Sequence, residues 1–107
     1  MQWLMILRLK RPEMLTGGPT EDEMSHVGAH FMYWKDLTER GIALLVGRTQ
    51  TTDPETMGLA VFQSSDEASA RAIAEADPAV VNGVFAMELR PYFIALLGEP
   101  EPFRPTR

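Results

Sequence analysis

His30 and Asp77 are the side chains of this sequence whose types best suit proton chemistry. An imidazole exchanges a proton near neutral pH, and a carboxylate on its second nitrogen fixes the tautomer and stabilises the imidazolium. His30 stands in Gly28-Ala29-His30-Phe31-Met32-Tyr33-Trp34, a helix pattern that Gly41 closes, and Asp77 opens Asp77-Pro78-Ala79-Val80-Val81-Asn82-Gly83 after a second helix pattern. Each also has a plainer account. A helical His beside Trp34 and Leu37 packs or half-exposes itself without any chemistry. An Asp before Pro accepts backbone amides where a helix ends and a turn begins.

His26 lies four residues before His30 and shares its helix face. Paired histidines at that spacing occur on many zinc helices, and Asp22 stands one turn earlier. Yet the chain has two histidines and no cysteine, and no Glu follows His26 in the metalloprotease pattern. No metal or other cofactor is therefore expected. Tyr33, three residues after His30, either lines the same pocket or is a half-buried amphipathic residue with one hydrogen bond. Gly17-Gly18 lacks the Lys-Ser/Thr of a phosphate loop.

The elements that position these residues must come from 107 residues, the size of one domain. The absence of cysteine excludes disulfides, thiolate metal sites and cysteine nucleophiles. A formal charge of −5 argues against a nonspecific nucleic-acid binder. The apolar start, Met1 to Leu7, is neither a signal peptide nor the roughly twenty apolar residues of a membrane span. A cytoplasmic protein without membrane partners is the expectation.

Gln2 to Arg8 reads as a buried strand, and Pro12 to Pro19 as loop. Thr20-Glu21-Asp22-Glu23 has capping-box form. Met24, Val27, Phe31, Trp34 and Leu37 then mark the expected buried stripe of a long helix ending at Arg40-Gly41. Ile42 to Gly47 is so continuously apolar that it predicts a central strand. Met57 to Gln63 predicts the next strand, hairpin-linked to it. Ser64 and Glu67 have capping-box spacing before an alanine-rich helix. Pro78 stops that helix or starts a separate short turn that Gly83 ends. Val84 to Phe93 predicts a last strand, with Arg90-Pro91 pointing to an edge or bulge.

The order is βαββαβ, an α+β ferredoxin-like fold: one antiparallel sheet with two helices on one face. Its other face needs cover, and a homodimer through the sheet face supplies it. Residues 1–97 form the domain. Residues 98–107 are a proline-rich C-terminal tail, loose or laid across a partner subunit with Phe103 as its anchor.

From Met5 to Phe93 the chain resembles the YCII-related family. The resemblance rests on the first apolar run, His30 eleven residues before Gly41, and Gly47 ending the second strand. It continues through Phe62 to Glu67 leading into the alanine-rich helix, Asp77-Pro78, Gly83-Val84 and Pro91-Tyr92-Phe93. The resemblance implies a dimeric α+β barrel and a pocket where His30 approaches Asp77, a role compatible with capping by Asp77. Gly47-Arg48 replaces the Gly-Pro that often ends this strand in relatives. Arg48 is then either a salt-bridge partner or a cation at the pocket rim for carboxylates or phosphates.

Some members of the family resemble lyases acting on chlorinated hydroxylated aromatics. The resemblance thus implies a metal-independent acid–base enzyme, lyase or isomerase in type, on a small cyclic or aromatic substrate. His30 and Asp77 would be its catalytic residues, with Arg48 and Tyr33 as substrate contacts. The alternative is a homodimer that binds a small metabolite without catalysis, or is purely structural.

Overall fold

A computed structural model describes residues 1–99. Strand β1 (Gln2–Leu9) is followed by a 3-10 turn (Pro12–Leu15), helix α1 (Glu21–Glu39), and strands β2 (Ala43–Arg48) and β3 (Gly58–Gln63). Helices α2 (Glu67–Glu75) and α3 (Pro78–Val81) then lead to strand β4 (Phe85–Tyr92). The sheet is antiparallel throughout, in the order β2-β3-β1-β4. This is the expected α+β ferredoxin-like arrangement. The proline-rich tail and Phe103 lie outside the described residues, apart from Gly98 and Glu99.

Alternation in β1 explains the layering. Trp3, Met5 and Leu7 point to one face and are buried, while Leu4 and Ile6 point to the other. The register aligns Trp3 with Phe62, Met5 with Ala60 and Leu89, and Leu7 with Gly58 and Met87. Trp34 and Leu37 of α1 and Ala70 and Ala74 of α2 close over that face to form the core. The small alanine side chains let α2 approach the sheet closely.

The start of α1 follows the sequence pattern. Thr20 Oγ1 accepts from the Glu23 amide at 3.1 Å, and Glu23 returns a carboxylate oxygen to the Thr20 amide at 2.8 Å. Arg11 also clamps Glu23 with two donors, at 2.9 and 2.6 Å. Hydrogen bonding from Arg11, helped by the Thr20 amide, brings the Glu23 carboxyl down to about 2. Gly41 takes φ 75°, a left-handed value that turns the chain from α1 into β2 without a Cβ penalty.

Four local expectations are corrected. The stretch after β1 contains a 3-10 turn rather than loop alone, with Pro12 at its start. Helix α2 is capped by Asp66, whose side chain accepts from the Ser69 amide at 2.8 Å, and Ser64 is not its cap. The residue at capping-box spacing lost to the carboxylate that lies nearer the first free amides.

Strand β2 is an edge strand, not a central one, and Leu45 is 64% exposed. It pairs only with β3, with a register break between Ala43 and Leu45, so its apolar run does not mark a central position. The inward face of α1 runs through His26, Val27, His30, Trp34 and Leu37, whereas Met24 and Phe31 are 60% and 65% exposed. The apolar period was there, but the face that docks on the sheet is rotated from it. That rotation puts His30 in the middle of the buried stripe.

The caps are directly testable by thermal and urea unfolding. Thr20→Ala should cost about 1 kcal/mol. Asp66→Ala should lower the thermal midpoint, while Ser64→Ala should leave it unchanged.

Candidate active site

Helix α1 carries His30 and Trp34 four residues apart, so both face the same way. Asp77 sits at the start of α3, where Pro78 fixes the first helical position and removes an amide that would otherwise go unpaired. The segment is locked from behind, because the Val84 amide donates to the Ala79 carbonyl at 2.8 Å. Asp77 Oδ1 accepts from the Ala79 amide at 2.9 Å, which is the capping role. Its Oδ2 lies 2.6 Å from His30 Nδ1 and accepts from Trp34 Nε1 at 2.8 Å. Capping and contact with His30 thus coexist on two oxygens of one carboxylate.

Asp77 is fully buried, at 0% exposure. Burial is the largest single influence on its carboxyl and pushes the pKa up. The hydrogen bonds from His30 and Trp34, the nearby His30 charge and the Ala79 amide together outweigh it, so the group lies below the ordinary carboxylate value. An ionised carboxylate only accepts hydrogen bonds, so Nδ1 of His30 carries the hydrogen between them. In the neutral imidazole, Nε2 is then the free base. Nε2 makes no hydrogen bond among the described residues, and the side chain keeps 18% of its surface exposed. Phe85 meets the ring edge-on, with centroids 5.2 Å apart.

His30 lines a cleft between α1 and the sheet, walled by Met5, Leu7, Trp34, Val46, Gly58 and Ala60. Its volume of about 20 Å³ has room for one water. The walls are almost entirely apolar, which strengthens any electrostatic interaction formed there.

The four residues singled out from the sequence fare differently. His30 and Asp77 meet. Arg48 pairs in register with Gly58, one step beyond Val46 opposite Ala60, so it lies on the His30 face of the sheet at the end of the cleft. It is exposed and forms no ion pair among the described residues. Tyr33 turns away: its hydroxyl donates to the Ile73 carbonyl at 2.7 Å, tying α1 to α2. Burial raises its pKa, and the Asp77 charge adds to that.

Sequence reasoning passed over Trp34 and Phe85. Trp34 stood out only as core, yet its indole N–H needs a buried acceptor and lies one turn from His30, which together point to Asp77. Phe85 carried no such signal. Among the described residues no three His, Asp or Glu side chains converge to hold a metal ion, and His26 stays apart from the Asp77 contact.

Fold and site together define an α+β protein with a buried carboxylate orienting a mostly buried imidazole. The model of the YCII-related domain matches residues 1–91, and the chain belongs to that family. No curated protein sequence matches it. Among solved structures it is similar to 5-chloro-2-hydroxyhydroquinone dehydrochlorinase from Burkholderia phenoliruptrix AC1100, in complex with 2,5-dihydroxybenzoquinone. The two are 20% identical, with a TM-score of 0.63, over 87% of this chain and 94% of that one. A likeness at that identity establishes the shared fold.

The Asp77 network should be visible in stability. Asp77→Ala leaves the Trp34 indole without its acceptor, an expected loss of about 1–3 kcal/mol at pH 7 in urea unfolding. The folded-state pKa is depressed, so the ionised carboxylate contributes stability above the ordinary value of about 3.9. That contribution disappears as pH falls through the lower folded value. The gap between wild type and Asp77→Ala should therefore narrow below about pH 4.

Proposed function

We propose that this protein is an acid–base enzyme of the lyase or isomerase type acting on a small cyclic or aromatic substrate, with His30 as its base and Asp77 as the group that orients it. The observation that carries this reading is the 2.6 Å contact between His30 Nδ1 and a fully buried carboxylate, which leaves Nε2 without a partner among the described residues on a side chain that lines the apolar cleft. In an elimination, Nε2 takes a proton from the substrate, the electron pair of that bond forms a new π bond, and the leaving group departs with its own pair. The imidazolium formed is stabilised by Asp77 and returns its proton to solvent. An isomerisation uses the same base and gives the proton back at another carbon.

Fixing the tautomer and position of the base removes orientational disorder from the proton-transfer step. Arg48, exposed and without an ion pair among the described residues, holds a carboxylate or ionised hydroxyl of the substrate at the end of the cleft. Tyr33 acts indirectly, by holding α1 against Ile73. The dehydrochlorinase of the same fold, recorded with a dihydroxybenzoquinone, supports hydroxylated rings as the first compounds to try. A cleft with room for one water must widen to admit a ring. Strand β2 is the wall most able to move, being an edge strand with a register break.

The working form is a cytoplasmic homodimer joined through the outer sheet face. Leu4, Ile6, Leu45 and Leu59 lie on that face, and pairing two such faces removes their apolar surface from water. The narrow cleft favours, as a second reading, a homodimer that holds a small metabolite or nothing and catalyses no reaction.

Turnover on a panel of chlorinated and unchlorinated hydroxyquinols, followed by ring absorbance and chloride release, tests the proposal. His30→Asn should lower kcat by about 10²–10⁴ while binding persists, the usual worth of a positioned base. A compound processed equally well by wild type and His30→Asn would overturn the catalytic role. Binding to both without product would favour the second reading.

A further inference from the structure

Helix α1 has an outward face as unusual as its inward one. On a helical wheel, Gly28 stands opposite the midpoint of the buried stripe, with Met24, Phe31 and Met32 close on either side. The solvent side of a surface helix is ordinarily polar, yet these three large apolar residues are 60%, 65% and 60% exposed. Glycine is a poor choice for the middle of a helix, and an added Cβ at Gly28 would meet nothing within 4 Å. The open space at Gly28 is a shallow notch between apolar flanks, suited to the close approach of a second helix.

The charges around the notch identify that helix. When two copies of α1 cross antiparallel about a two-fold axis at Gly28, each residue faces the one equally far on the other side of position 28. Met24 then faces the partner's Met32, and Phe31 faces the small partner's Ser25. Glu21 faces the partner's Lys35, and by symmetry Lys35 faces the partner's Glu21. All of these residues are exposed. Lys35 already reaches Glu39 on its own helix at 2.7 Å, so its ammonium is positioned on the outward side. The apolar centre, the matched charges at both ends and the notch all obey one symmetry operation.

We infer that the outward face of α1 is a self-association surface, whose occupant is the α1 helix of a second copy packed antiparallel across Gly28. This inference is independent of the catalytic reading and of pairing through the sheet. With sheet pairing, the α1 contact joins two dimers; without it, it joins two monomers.

Two experiments on the full chain test it. Because the chain has no cysteine, Gly28→Cys introduces a single thiol that the two-fold axis sets against itself. Oxidation should link Gly28→Cys into covalent pairs at least about tenfold faster than Glu39→Cys, whose thiols would lie about 30 Å apart at 1.5 Å of rise per residue. In sedimentation equilibrium, Phe31→Glu should halve the mass of the wild-type assembly. Glu21→Lys and Lys35→Glu should each weaken association, and the double exchange Glu21→Lys/Lys35→Glu should restore it. Circular dichroism confirms that each variant is folded, which the exposure of every substituted position favours. Equal cross-linking rates for the two cysteine variants, or a double exchange that fails to restore association, would overturn the inference.

Discussion

One buried carboxylate sets the terms for the rest of this structure. Asp77 has no exposed surface, and an ion in such a position is tolerable only when its oxygens are satisfied. Three donors meet that need: the Ala79 amide on one oxygen, and Trp34 Nε1 and His30 Nδ1 on the other. Each donor comes at a structural cost. The amide requires α3 to begin immediately after Asp77, and the two side-chain donors require α1 to turn the His30 and Trp34 face toward it.

That requirement explains the setting of α1. A helix rotated to bury Met24 and Phe31 would gain apolar contact but carry His30 away from Asp77. The observed setting leaves those two residues in water and buries the half of the helix that bears the donors. The core is complete without them, because Trp34 and Leu37 meet Trp3, Met5 and Phe62 of the sheet. The Tyr33 bond to Ile73 fixes the same rotation from the α2 side. Polar satisfaction of one acid and packing of the core therefore select one geometry, and the chemistry of His30 is a consequence of it.

The strands, their succession along the chain and both main helices were legible in the sequence, because alternation, capping residues and glycine stops are local signals. Thr20-Glu23 and Gly41 act as their types suggest, and His30 and Asp77 stood out in their frames. Other features depend on which surface meets which. The continuous apolar run of β2 looked central, but strand order follows from the crossovers, and these place β2 at an edge. The stripe of α1 has two apolar candidates, and only the position of Asp77 decides between them. Tyr33 is close to His30 in sequence yet points elsewhere, since three residues along a helix is about 60° from full register. Trp34 was hidden by its bulk: a large aromatic in a core attracts a packing explanation before a hydrogen-bonding one.

The account rests on His30 donating through Nδ1 to an ionised Asp77. Nitrogen-15 NMR of the imidazoles measures this directly, and His26 serves as an internal comparison because the chain has only these two histidines. The expected result is a His30 hydrogen held on Nδ1, seen as a downfield, slowly exchanging proton that vanishes in Asp77→Asn while the His26 signals stay in place. A His30 ring that carries its neutral-state hydrogen on Nε2, with no protected Nδ1 proton and no response to Asp77→Asn, would contradict the account.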